Sequence, residues 1–248
     1  MTSTENQLNQ ILSDIERQAS HSFVDRHIQR PEVPAFFVAV LYHALRSRQL
    51  PADRLHLYCV TITLMQMGLD IHERVSPGPS SGEGRMHLRP LTVLAGDYFS
   101  SLFYRTLSQA GEIDGLACLS QAICKVNEAK MELYFMRQVD PVPWQTILDL
   151  VRQVRGGLIS AVSSFFCRDL DHSDPWPLLA GHLMVLDYWS KPVEGWTAGV
   201  PDHLLQNVAA DTWRLAKNVR PLDVRHELLQ TMQQCIAPHV HEVLVREG

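Results

Sequence analysis

This sequence predicts an all-α fold: a bundle of about nine helices, in a single domain over residues 1–248. Three observations lead there. Apolar residues recur at three- and four-residue steps nearly everywhere. The periodic segments are broken at prolines and glycines. No segment reads as a strand on both composition and length. A domain of 248 residues buries roughly three-quarters of its unfolded surface, so its core needs no staple.

The elements follow in order along the chain. Leu8, Ile11 and Ile15 make a short first stripe. Pro31 and Pro34 open an apolar helix through Phe36, Phe37, Val40, Leu41 and Leu45, closed before Pro51. Leu55 to Leu69 is ambiguous, because Val60, Thr61, Ile62 and Thr63 favour strand locally; its length and helical neighbours make it a buried helix. Ser76 to Gly84 is a loop of glycine, serine and proline. Leu91 to Ser108 is almost wholly apolar, with a narrow polar side of Asp97, Ser100, Ser101, Tyr104, Arg105 and Ser108. Such a helix lies deep in a bundle or across an interface. Leu116 to Met136 carries Leu116, Leu119, Ile123, Val126, Lys130 and Leu133 as an a/d seam with one lysine in it. Pro141 and Pro143 end it. Ile147, Val151, Val154, Leu158, Ala161 and Phe165 form the next stripe. An aspartate-rich loop, Arg168 to Pro177, leads to a helix from Leu178 to Trp189. After a break at Lys191 to Pro201, Leu204 to Val219 is helical between Pro201 and Pro221, and a last helix runs from Val224 until Pro238.

Hydrophobic residues at 46% and charged residues at 20% suit an ordinary globular protein, and a net charge of -5 gives no electrostatic reason to expect nucleic acid as a partner. Five scattered cysteines form no C-x-x-C pair, which speaks for reduced thiols and against a disulfide framework or zinc site. The first residues are polar and acidic, unlike a signal peptide, and the longest weakly polar stretch, Leu55 to Ile71, is too short to be a transmembrane segment. A cytoplasmic location is expected.

TVLAGDYFSSLFYR, Thr92 to Arg105, followed by KVNEAKMELY, Lys125 to Tyr134, resembles the paired central helices of all-trans prenyl diphosphate synthases. In that family a D-D-x-x-D helix precedes V-L-A-G-D-Y/F, and carboxylates on one helix face hold the Mg²⁺ that clamps an allylic diphosphate. Here the corresponding stretch reads Ile71-His72-Glu73-Arg74-Val75-Ser76-Pro77. Glu73 and Arg74 stand at the paired aspartates and Pro77 stands four residues on, where no metal ligand results. The early glycine-lysine-arginine element finds only Gln29-Arg30-Pro31. The second aspartate motif finds Leu183 to Trp189, with Asp187 alone.

The scaffold kept without that chemistry is most similar to the component 1 family, the small, non-catalytic subunits of heptaprenyl diphosphate synthase. Gly96-Asp97-Tyr98 and Asn127-Glu128-x-Lys130-Met131 carry the resemblance, strongest over residues 55–134. It implies an isoprenoid-synthase-like bundle that pairs with a catalytic large subunit. Isoprenoid diphosphates are met through that partner, which extends farnesyl diphosphate with isopentenyl diphosphate for the menaquinone side chain. No cofactor is expected on this chain and no catalytic residue; Mg²⁺ is expected in the partner. The expected structural and interface residues are Asp97, Tyr98, Ser101, Asn127, Glu128, Lys130 and Tyr134. Arg85, His87 and Arg89 are candidates for diphosphate contact, or else a solvated basic loop.

Two specific expectations concern charge. Asp97, on an apolar helix, needs a partner if buried. Lys130 either selects an unlike partner, because two copies would repel across a shared seam, or lays its stem along the seam with its ammonium in water. Other polar groupings read as structure. Asp169, Asp171 and Asp174 form a capping loop. His226-Glu227-Leu228-Leu229-Gln230 lacks the second histidine of H-E-x-x-H, and Gly82-Glu83-Gly84 lacks the lysine and setting of a phosphate loop. His239 and His241 are two apart, on different helix sides. Two rival functions are a self-sufficient Mg²⁺-dependent prenyl or terpene synthase using Asp70, Glu73 and Asp187, and a helical interaction module with no isoprenoid role.

Overall fold

The structure, a computed structural model, describes residues 3–28, 30–74, 88–136, 138, 141, 143–167, 174–190 and 199–235. Among them are ten α-helices and no strand: α1 Ser3–Ala19, α2 Ser22–His27, α3 Ala35–Arg46, α4 Ala52–Glu73, α5 Leu88–Gln109, α6 Ile113–Met136, α7 Trp144–Phe165, α8 Trp176–Ser190, α9 Asp202–Ala216 and α10 Leu222–Cys235. The expected all-α architecture stands, and the short α2 is the addition. The chain divides into two compact units, one of Met1–Val38 with Pro51–Leu116, the other of Ala39–Leu50 with Ala117–Gly248.

The first unit is built on the pairing of α4 with α5, with α1 laid against α4. Between Tyr58 and Leu69 every side chain of α4 is buried, so no single apolar stripe marks it. That explains the strand-like stretch Val60 to Thr63. Burial rewards β-branched bulk, and the Thr61 and Thr63 hydroxyls donate back one turn to the Leu57 and Cys59 carbonyls at 2.8 and 2.7 Å. Their polarity is satisfied inside the helix. The two helices approach closely at Gly68, where a Cβ would lie 3.0 Å from the Gly96 carbonyl oxygen.

The second unit is built on α7 against α8, with α9 packed on α8 and α10 on α9. Its tightest point is Gly156 on Gly181, where a Cβ would stand 2.6 Å from the Gly181 Cα. Any larger residue must push these helices apart. Arg48 ties the end of α3 to this pair, donating to the Ser163 carbonyl at 3.0 Å and pairing with Asp174. Asp174 also accepts the Trp176 backbone N–H, which makes it the helix-opening residue that the capping-loop reading expected; Asp169 and Asp171 lie outside the described residues. Glu227 pairs with Arg46, so the H-E-x-x-H-like run is spent on structure.

Candidate functional site

The end of α4 is where a metal-binding carboxylate cluster belongs by resemblance. Asp70 accepts a hydrogen bond from the Gln66 side-chain amide at 2.9 Å. Glu73 is the last helical residue, with Arg74 directly after it. His72 turns toward α5: its Nε2 lies 3.5 Å from the Asp97 carboxylate, and its ring covers Gly96 so closely that a Cβ there would be 2.5 Å away. Among the described residues no three His, Cys, Asp or Glu side chains come together as a metal site. These residues do not fit Mg²⁺, which needs several oxygen ligands, because one carboxylate is tied by an amide and the other is followed in sequence by an arginine where the motif needs a second carboxylate. Pro77, Arg85 and His87 lie outside the described residues. Arg89 is half-buried and already engaged. In the second unit Asp187 is buried, a single carboxylate inside α8.

The other candidate features are two helix faces, one in each unit. On α5, of the two expected placements, deep in a bundle or across an interface, the first does not hold on one side. Phe99, Phe103 and Leu107 face the core, but Leu94, Asp97, Ser101, Tyr104 and Ser108 are exposed. These five recur at steps of three and four, the spacing of a seam. Leu94 is 61% exposed and Asp97 63%. Asp97 is therefore solvated, with His72 as a weak neighbour, rather than a buried charge needing rescue. The Ser101 hydroxyl donates to the Tyr98 carbonyl at 2.7 Å, and the half-buried Tyr98 ring packs on His21 at 5.0 Å.

On α6 the seam read from the sequence is turned inward. Leu119, Ile123, Val126 and Leu133 are buried, and Lys130 is only 8% exposed. Part of this seam meets α7: a Cβ at Gly157 would touch Val126 at 3.2 Å, and Cys118 faces the Ala161 carbonyl at 3.9 Å. Lys130 thus lies on the buried side of α6, which suits the reading in which its stem lies along the seam and not presentation to a partner helix. The opposite side carries Asn127, Glu128, Met131, Tyr134 and Phe135, all exposed, with Met131 at 59% and Phe135 at 72%. Asn127, Glu128 and Tyr134 of the expected interface set are thus on the exposed side of α6, which Met131 and Phe135 share. Extending the three- and four-residue count to the other side of the same helix finds them.

A charged corner holds the start of α4 to the turn between α5 and α6 within the first unit. Arg54 donates twice to Glu112, at 2.6 and 2.7 Å, and the Tyr58 hydroxyl donates to the same carboxylate at 2.8 Å. Gly115 makes room for that hydroxyl, since a Cβ would overlap it at 1.8 Å. The Arg54 hydrogen bonds hold the Glu112 carboxyl below its usual range. Burial, followed by the Glu112 hydrogen bond, pushes the Tyr58 phenol up. Glu112 and Gly115 carry no sequence motif, so nothing short of contact geometry reveals this corner.

Comparison with known proteins adds four likenesses. The profile of the family described as heptaprenyl diphosphate synthase (HEPPP synthase) subunit 1 matches residues 21–236. Heptaprenyl diphosphate synthase component 1 of Geobacillus stearothermophilus is 36% identical over 75 residues, covering 30% of this chain and 32% of that protein. Octaprenyl pyrophosphate synthase from Helicobacter pylori superposes with a TM-score of 0.58 at 14% identity, covering 98% of this chain and 89% of that one. A deletion mutant of the heterotetrameric geranyl pyrophosphate synthase of mint gives 0.55 at 10% identity, covering 92% and 99%. At such low identity these two establish the fold alone.

Proposed function

Because the chain belongs to the heptaprenyl diphosphate synthase subunit 1 family, we propose that it is the non-catalytic subunit of a heteromeric all-trans polyprenyl diphosphate synthase. It pairs in the cytoplasm with a catalytic large subunit. That pair extends farnesyl diphosphate with isopentenyl diphosphate toward a heptaprenyl chain for menaquinone. Ionisation of the allylic diphosphate and carbon–carbon bond formation belong to the large subunit and its Mg²⁺.

One observation carries this reading. The α4–α5 pair of a prenyl synthase scaffold is kept, closely packed at Gly68 and Gly96, while the end of α4 offers Glu73 and Arg74 in place of paired carboxylates. A cation beside the remaining carboxylate repels Mg²⁺ and leaves it short of ligands. Packing without metal ligands is what a supporting subunit requires. The mint geranyl pyrophosphate synthase is heterotetrameric, so assembly from unlike chains has a precedent on this fold.

The test is a three-way assay with farnesyl and isopentenyl diphosphates and Mg²⁺: this chain alone, the large subunit alone, and the mixture. The reading expects no elongated product from this chain alone and a long-chain product from the mixture. Robust condensation by the lone chain contradicts it and promotes a self-sufficient synthase built on Asp70, Glu73 and Asp187.

A further inference from the structure

We infer that the cleft between the C-terminal ends of α3 and α9 and the first turns of α8 and α10 binds free diphosphate or a similar multiply charged phosphate, held by Lys217, Arg220 and Arg225. Such a site is independent of the function proposed above.

The cleft lies wholly within the second unit and has a volume of about 1610 Å³. Chain reversals form its walls: Ser47 to Gln49 after α3, Phe166 and Cys167 after α7, Lys217 and Asn218 after α9. Gln49 holds the first of these turns at a φ of 53°, a left-handed conformation seldom taken by residues other than glycine. Trp176 and Leu222 open α8 and α10 onto the same space. Helix starts leave backbone N–H groups without intrahelical acceptors, and their dipoles favour an anion. Trp176 is buried in the wall of the cleft, and its indole N–H has no acceptor among the described residues. Asp187, at the position of the second aspartate motif, lies eleven residues further along α8, about 16 Å at 1.5 Å per residue. The cleft and the motif position thus belong to opposite ends of that helix.

Charge identifies the ligand. The chain as a whole carries a net charge of -5, yet the cleft gathers Arg48, Lys217, Arg220 and Arg225 against two carboxylates, Asp174 and Asp223. Both carboxylates are already taken. Asp174 pairs with Arg48 and accepts the Trp176 backbone N–H at 3.4 Å, and Asp223 pairs with Arg46 at 2.7 Å. Arg225 donates to the Lys217 carbonyl at 2.6 Å, and no carboxylate pairs with it or with Arg220 among the described residues. The Lys217 ammonium sits over the Trp213 ring, 5.2 Å from its centroid. Cations gathered without a counter-charge attract an anion. Because they come from separate segments, they suit charge spread over more than one phosphoryl group, which guanidinium groups bind through paired hydrogen bonds.

The experiment is titration calorimetry of the full chain with inorganic diphosphate and, separately, inorganic phosphate, without added metal. It compares wild type with R220Q/R225Q, with R220Q alone, and with R17Q/R214Q, which removes the same charge from exposed positions outside the cleft. Wild type is expected to bind diphosphate more tightly than phosphate. Diphosphate affinity is expected to fall at least about tenfold in R220Q/R225Q, less in R220Q, and to stay within about twofold in R17Q/R214Q. R220Q keeps the test open if losing the Arg225 bond to the end of α9 unfolds the double variant. Cys167, half-buried in the cleft wall, supplies a second readout: diphosphate is expected to slow its alkylation and leave that of Cys235 unchanged. Absence of diphosphate binding by wild type overturns the inference, as does an equal loss of affinity in both double variants. Wild-type affinity in both R220Q and R220Q/R225Q also overturns it. Flotation with phosphatidylglycerol vesicles that is lost in R220Q/R225Q and unmoved by diphosphate overturns it by assigning the cations to a lipid headgroup.

Discussion

From the core, α6 presents Leu119, Ile123, Val126, Lys130 and Leu133, all buried; from the other side it presents Gln121, Cys124, Glu128, Met131 and Phe135, all exposed. Both sets have heptad spacing. The inward set carries one charge and has neighbours such as Gly157 and Ala161 in its own chain. The outward set mixes a carboxylate with two large apolar side chains and is exposed among the described residues. The same contrast recurs on α5 within the first unit, where Phe99 and Phe103 are buried while Leu94 and Tyr104 are not.

The largest effect that would sharpen this contrast is on stability. Leu133→Ala removes a fully buried side chain and is expected to cost about 2–5 kcal/mol. Phe135→Ala, two residues away on the outward side, is expected to stay within about 0.5 kcal/mol of wild type. Urea unfolding of both variants reads the difference; equal losses would break the two-sided account.

Acid response separates core from surface in a second way. Burial, aided by the nearby Arg46, lowers the His43 pKa to about 4. Its Nε2 faces the Thr231 hydroxyl at 3.1 Å, and Glu227 is 4.0 Å away. The folded chain keeps His43 neutral where the unfolded chain already takes a proton near pH 6.5. Stability is therefore whole above pH 6.5 and falls as pH drops toward 4, by roughly 3 kcal/mol. His43→Gln is expected to flatten that slope. Glu112, with a lowered pKa, adds stability above its ordinary carboxylate range that is lost only at more acid pH. E128Q/E132Q is expected to leave the His43 slope unchanged, and a shift there would tie the outward carboxylates to the core.

Lys130 gives the smallest expected effect on assembly. Lys130→Leu acts inside the chain, so stability is expected to change while capture of the large subunit stays within about twofold of wild type. A marked loss of capture would return Lys130 to the interface.

Much of the fold was legible because helical periodicity and proline breaks are local. The extents of α3, α6 and α7 follow from their apolar spacing, and α4 was recoverable from length even though Val60 to Thr63 pointed the other way. What local pattern does not carry is which side of a helix finds a neighbour. Leu119 to Leu133 and Gln121 to Phe135 are both seams by spacing, and spacing alone left open whether the lysine in the more apolar one serves a partner or the chain's own core. That seam is more apolar because it faces the core. The polar side of α5 was legible, but whether Asp97 on it is buried was not, and it is 63% exposed. His72, Glu112 and Gly115 escaped notice because each matters through a contact distant in sequence: His72 on Gly96, Tyr58 on Gly115, Arg54 on Glu112.

The pairing proposed for this chain, with the outward side of α6 as the side covered, has a direct chemical probe already in the chain. Cys124 is exposed in the middle of that side, and Cys235 is exposed at the end of α10. Alkylation of each thiol, followed by mass spectrometry with and without the catalytic large subunit, compares the two sites in one sample. The account predicts that Cys124 modification slows by about tenfold or more in the complex while Cys235 keeps its rate. A complex that forms, makes product and leaves Cys124 as reactive as in the free chain would contradict it.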